Sequence, residues 1–189
     1  MATQQSDAYH NEYLAEDFLP DGTKIIIRNI GPQDKPILQE GMHHLSATSR
    51  YFRFLGWKDE LNAGELSFFT EIDFSKHVAL LGIIVEGDLH TPAGVCRYVL
   101  LDNGPGTRRR AEIAVVVEEE HQGRGIATLL LKHLTQIART QGVEEFTGTV
   151  HPDNTKVIRL LYNSGLAVTE VVNDAGILDI SLNLASPNM

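Results

Sequence analysis

The chain has a single cysteine, Cys96, in 189 residues. No intrachain disulfide can form, and a reducing compartment is expected. Cys96 lies in the apolar run from Gly94 to Leu100, so it reads as a small buried hydrophobe rather than a nucleophile. Long apolar runs are missing as well, and none approaches the ~20 residues of a membrane span. Met1 to Asp17 is polar and lacks the basic and apolar regions of a secretory signal. The expected location is cytoplasmic, with no membrane partner. Positive charge is scarce: 16 Lys and Arg stand against 25 Asp and Glu, a formal net charge of −9. The only dense basic run, Arg108-Arg109-Arg110, is short, so nucleic acid is not an expected partner. The histidines lack metal spacing: His43 and His44 are adjacent, and His121, His133 and His151 are scattered. No metal is expected.

What is present is ordinary globular composition, 42% hydrophobic and 22% charged, in a length that suits one domain. Met1 to Pro20 reads as a flexible arm, and residues 21–186 as the domain. Lys24 to Arg28 is a β-branched strand. Gly31-Pro32-Gln33-Asp34 opens a helix through His44, and Ser46 or Ser49 caps a second, short one. A third helix spans Leu61 to Thr70. Strands follow at Val78–Val85, Gly94–Leu101 and Glu112–Glu118, with turns at Gly87-Asp88 and Asn103-Gly104-Pro105-Gly106. Ile126, Leu129, Leu130, Leu134, Ile137 and Ala138 then lay one apolar stripe on a helical period. The order closes with a strand at Glu145–Val150, a helix capped by Asn154 or Thr155, and a hairpin around Asp174-Ala175-Gly176. This is an α/β class fold: a mixed, mostly antiparallel sheet with one βαβ crossover and helices on both faces.

The densest signal lies between the valine-rich strand and the striped helix, in Gln122-Gly123-Arg124-Gly125-Ile126-Ala127. The first N–H groups of a helix have no intrahelical partner, and the dipole adds positive potential there. Gly123 and Gly125 let the main chain turn tightly, and Arg124 adds a cation that suits phosphate. A P-loop is excluded, because no Gly-x-x-x-x-Gly-Lys-Ser/Thr occurs; Thr128 stands where a dinucleotide fold would place its third glycine. Gln122-x-x-Gly125-x-Ala127 resembles the pyrophosphate loop of the GNAT superfamily of N-acetyltransferases. The element order from Lys24 to Leu184 is similar to that family's as well.

The resemblance implies acetyl-coenzyme A as cosubstrate and an amine as acceptor. It implies pyrophosphate at Gln122, Gly123, Arg124, Gly125, Ile126 and Ala127, with the pantetheine arm on the main chain of Val115, Val116 and Val117. Asn154 would bond the cofactor arm, besides capping a helix. Ala111 to Val117 resembles a subgroup in which the Glu at the place of Glu112 is general base; the alternative is a strand-end carboxylate paired with Arg97 or Arg109. Burial in a cleft would raise that carboxyl's pKa. Tyr162 stands one residue late for the family's general-acid tyrosine, whose place Leu161 holds. One residue is about 100° on a helix, and Tyr162 reads as an amphipathic surface residue. Arg108 to Arg110 read as a solvated hairpin tip.

Leu45-Ser46-x-x-Ser49-x-Tyr51-x-Arg53-Phe54 and Gly94-Val95-Cys96-Arg97-Tyr98 resemble the acetyltransferase domain of bacterial protein lysine acetyltransferases. The ligase-like or nucleotide-sensing second domain of some such enzymes has no room in 189 residues. The expected activity is acetyl transfer to a primary amine, a protein lysine or else a small amine or amino acid. A non-catalytic acyl-coenzyme-A sensor or partner module is the alternative, and an edge strand could pair two copies into a homodimer.

Overall fold

Runs of β-branched residues set the centre of the sheet. β2 (Lys24–Asn29) buries Ile25 and Ile27 completely on one face. It pairs antiparallel with β3 (His77–Glu86), which pairs antiparallel with β4 (Leu89–Leu100). The computed structural model describes residues 13–102, 104 and 107–185. Eight strands form one sheet in the order β1-β2-β3-β4-β5-β6-β8-β7. Here β1 is Leu14–Phe18, β5 Arg110–Val117, β6 Glu145–Val150, β7 Ala167–Val172 and β8 Leu178–Asn183. Among the described residues only β5 and β6 run parallel, joined by the long crossover helix α4 (Ile126–Thr140).

The apolar stripe of α4 lies on one face of the sheet. Ile126, Leu130, Leu134 and Ala138 are all at most 1% exposed and share a core with Ile25, Ile27, Leu80 and Ile84. Truncating such a residue, as in Leu130→Ala, costs about 2–5 kcal/mol. α5 (Thr155–Tyr162) joins the same cluster through Leu161. The opposite face carries α1 (Lys35–His44), α2 (Ala47–Phe54) and α3 (Ala63–Thr70). Ile37 and Leu38 pack there on Leu81 and Val95, and Met42, Leu45 and Leu61 pack near Val116. Ser46 caps α2, accepting from the Ser49 N–H at 3.1 Å. Cys96 is fully buried.

Two elements differ from the sequence reading. The arm expected over residues 1–20 is not loose at its end. Leu14–Phe18 forms edge strand β1 along β2, and Leu19 is buried. β1 carries no alternating apolar pattern, because Leu14 and Phe18 are exposed. It is held by main-chain pairing, by Glu16 to Lys24 at 2.8 Å, and by Tyr13 and Asp17 on His133 of α4. Residues 1–12 of the arm, residues 103, 105 and 106 of the expected turn, and the domain end at residue 186 lie outside the described residues. β4 starts five residues before Gly94 despite Pro92. Its register shifts so that Gly82 faces Gly94 while Ile83 faces Pro92, and the extra residue, Ala93, bulges.

Candidate active site

β5 and β6 part company. Their parallel pairing covers only Arg110–Glu145, Ala111–Phe146 and Glu112–Thr147. Beyond Glu112, β5 stays paired with β4 up to Val117 opposite Gly94. A cavity of about 1220 Å³ fills the opening, with Glu112 to Val117 on one wall and Thr147 to Val150 on the other. It exceeds the roughly 300–1,000 Å³ of small-ligand sites, which suits a long ligand.

Main-chain groups of a strand point alternately to its two edges. The Glu118 N–H donates to Ala93 O at 2.9 Å, so the even-numbered residues turn theirs toward β4. Ile113, Val115 and Val117 then turn theirs to the cavity. Val117 O confirms the phase, accepting from Gln122 Nε2 at 3.0 Å. Of the three valines expected to meet a pantetheine arm, Val115 and Val117 have main chain on the cavity edge. Val116 has its main chain against β4, and its side chain packs under α1 and α3.

The foot of the cavity is the turn before α4. Gly123 (φ 78°) and Gly125 (φ 92°) both take the left-handed conformation that favours glycine, and Gly125 is the N-cap. The N–H groups of Ile126, Ala127 and Thr128 lack intrahelical acceptors and line the cavity. Gln122 does not point its amide freely at a ligand. Nε2 is on Val117, and Oε1 accepts from Lys156 Nζ at 2.6 Å. Arg124 departs from the sequence expectation. Its guanidinium turns to the β1–β2 turn, 3.1 Å from Asp21, 2.9 Å from Thr23 Oγ1 and 3.7 Å from Glu86. That side chain is engaged at the β1–β2 turn. A cation that does reach the foot of the cavity is Lys156, which sequence reasoning missed. A lysine in the first turn of α5 opposes the helix dipole, a placement that signals another use. Asn154 caps α5, accepting from the Val157 N–H at 3.3 Å, and lines the cavity.

α2 roofs the opening. Ser46 Oγ donates to Glu119 Oε1 at 2.6 Å, and Ser49 donates to the same oxygen, which lowers the Glu119 pKa. Phe52 stacks on His151, beyond β6, with centroids 5.3 Å apart, and Tyr51 meets the same ring edge-on. The serine-tyrosine segment thus docks one helix on both walls.

Glu112 sits at the point of the splay and lines the cavity. It is exposed, so the cleft burial expected from the sequence is not present. Among the described residues neither Arg97 nor Arg109 forms an ion pair with it, and Arg97 bonds Phe69 O and His77. Tyr162 is 50% exposed and held by Glu170, which raises its pKa, while Leu161 is buried. Arg108 and Arg110 pair with Glu145 of β6, so the basic run is tied to the sheet. Among the described residues, Glu118, Glu120 and His121 bring possible metal ligands within 4.8 Å of one another; Glu118 is already bonded to His44. No helix among the described residues is long and apolar enough to cross a membrane.

Residues 42–165 match the acetyltransferase (GNAT) family. The acetyltransferase PA5475 of Pseudomonas aeruginosa is 28% identical over 67% of this chain and 66% of its own length. The acetyltransferase Pat of Mycolicibacterium smegmatis is 26% identical over 76% of this chain. The chain spans only 41% of that relative. The solved GNAT domain of S. lividans PAT is 29% identical with a TM-score of 0.79, covering 90% of this chain and 96% of that one.

Proposed function

The chain belongs to the GNAT family of acetyltransferases, and on that premise we propose that it transfers acetyl from acetyl-coenzyme A to a primary amine by direct attack. One observation carries the reading: a strand edge left unpaired by the splay runs down to the open N-terminus of α4. Pantetheine amides pair with Val115 and Val117, replacing the missing β6 partner. Diphosphate oxygens accept from the amides after Gly123, with Lys156 beside them. The amine nitrogen attacks the thioester carbon. Its proton passes to Glu112, directly or through water, and the C–S bond breaks to release the thiolate, which takes a proton from water.

The Leu45–Phe54 and Gly94–Tyr98 segments support a protein lysine as acceptor, by their resemblance to lysine acetyltransferase domains. A carboxylate-bearing acceptor, such as an amino acid, is the second reading, favoured by the two arginines at Arg53 and Arg97. The test is calorimetric titration with acetyl-coenzyme A, followed by a thiol-release assay over lysine peptides and small amines. Binding with turnover supports the reading. Binding without turnover on any amine makes the chain an acyl-coenzyme-A sensor, and no binding ends the proposal.

A further inference from the structure

A second, smaller cavity of about 70 Å³ lies behind β5, on the face shared by Ala114 and Val116. Its walls are apolar, with Leu38 and Met42 from α1, Phe54 from α2 and Val95 from β4. Arg53 of α2 and Arg97 of β4 also line this space. Arg53 also lines the large cavity, so it stands where the two spaces meet.

Neither arginine has an anionic partner within ion-pair distance among the described residues. Arg97 is 6% exposed, and among the described residues only its Nη1 is used, donating to Phe69 O at 3.1 Å and to His77 Nε2 at 3.2 Å. His77 is neutral there, because burial and the Arg97 charge push its pKa down to about 4. Arg53 has no hydrogen bond from its guanidinium among the described residues. It lies 5.0 Å from the Phe54 ring centre and 5.8 Å from that of Phe69, with Arg97 4.4 Å from the latter. Burial, and the Arg53 charge nearby, push Arg97 down to about 9. Two like charges held in an apolar wall are costly unless something pairs them. The nearest acids do not. Glu118, in the same wall, is committed to His44 at 2.9 Å, and Glu112 acts on Arg53 only through its field.

We propose that Arg53 and Arg97 bind the carboxylate of a substrate, its apolar portion resting on Leu38, Met42 and Phe54. Guanidinium forks match carboxylate oxygens, and an apolar surround strengthens the match. The carboxylate has two sources: the far end of a dicarboxylic acyl group on the donor, or the α-carboxylate of an amino-acid acceptor. Calling it part of a substrate rests on the acyl-transfer reading; the binding itself does not.

Calorimetry on the whole chain compares 3-methylbutanoate with 3-methylbutanamide. The acid is expected to bind roughly tenfold or more tightly than the amide, and Arg53→Met to remove the difference. Arg53→Lys, which keeps a charge but no fork, is expected to recover part of it, and the circular dichroism spectrum of each variant reports on folding. Two further arms separate the sources. Succinyl- against acetyl-coenzyme A tests the donor, and leucine against leucinamide tests the acceptor. Preference for the acid form in one arm, lost in Arg53→Met, supports the proposal and names the source. Equal binding of acid and amide overturns the site. Preference for 3-methylbutanoate with none in either arm overturns its use by a substrate. If acetyl-coenzyme A fails to bind while the acid binds, the donor reading falls and the carboxylate site stands.

Discussion

Glu112 and Arg124 show how position decides what a charged side chain can do. Glu112 is the last residue of β5 to have a β6 partner, so its carboxylate stands where the two strands begin to diverge. Exposure leaves it in contact with water, which suits a base that works through a short water chain. Glu112→Gln keeps the shape and removes the proton acceptor. The expected result is a fall in kcat of about 100-fold or more, with acetyl-coenzyme A affinity by calorimetry unchanged; full turnover would rule this carboxylate out as the base. Arg124 is the opposite case, a cation in a phosphate-loop motif whose charge is engaged by Asp21, Thr23 and Glu86. Arg124→Met is expected to lower the melting temperature slightly and to change cofactor affinity by no more than about twofold, as surface ion pairs do. A tenfold loss of affinity would return the guanidinium to the phosphate site.

α4 was the most legible element, and its role follows from its first turn. A long helical stripe between two glycines and a glutamine can be read without any tertiary information, and it folds as read. The effect of the glycines is finer than the motif implies. A Cβ on Gly125 would meet Pro20 Cδ at 3.0 Å, so a substitution there mixes folding with binding. Gly123 has no neighbour within 4 Å of such a Cβ. Gly123→Glu therefore places a carboxylate at the helix N-terminus with only the backbone strain of its positive φ. The expected loss in acetyl-coenzyme A affinity is about 100-fold by charge repulsion, with the circular dichroism spectrum retained; wild-type affinity would refute the anion site. β3 offers a pH test. His77 is 9% exposed, and its folded pKa of about 4 lies below the ordinary 6.5. Between those values the unfolded chain binds a proton that the folded chain refuses, so stability falls as pH falls. The loss from about pH 7 to pH 5 is on the order of 2 kcal/mol. Urea unfolding of His77→Gln is expected to show that much less pH dependence than wild type. Identical slopes would mean that His77 protonates freely in the fold.

The whole molecule is a single sheet with one gap, and the gap is what the sequence conceals. Apolar patterning is no guide to it: Ile113, Val115 and Val117 look like any buried strand, and their unpaired edge exists only because β6 leans away. Strand content, crossover and glycine turn are local patterns, legible one segment at a time. The splay, the α2 roof, the turned-away Arg124 and the meeting of Arg53 with Arg97 are products of long-range packing. β1 was hidden for a related reason, being held by its neighbour's main chain and by His133 rather than by apolar side chains of its own. A gap of this kind leaves the main-chain groups of Val115 without a strand partner until a ligand closes it. Binding should therefore stabilise the fold as a unit. At a hundredfold excess over Kd, a ligand specific to the folded state adds about 2.7 kcal/mol. For a chain of this size, that is a rise in melting temperature of about 5–10 °C. Acetyl-coenzyme A is expected to produce that rise. ATP, which has phosphates for the α4 turn but no pantetheine arm for Val115 and Val117, is expected to produce far less at the same concentration. Equal shifts from the two would mean that the α4 turn alone does the binding and that the open edge of β5 contributes nothing.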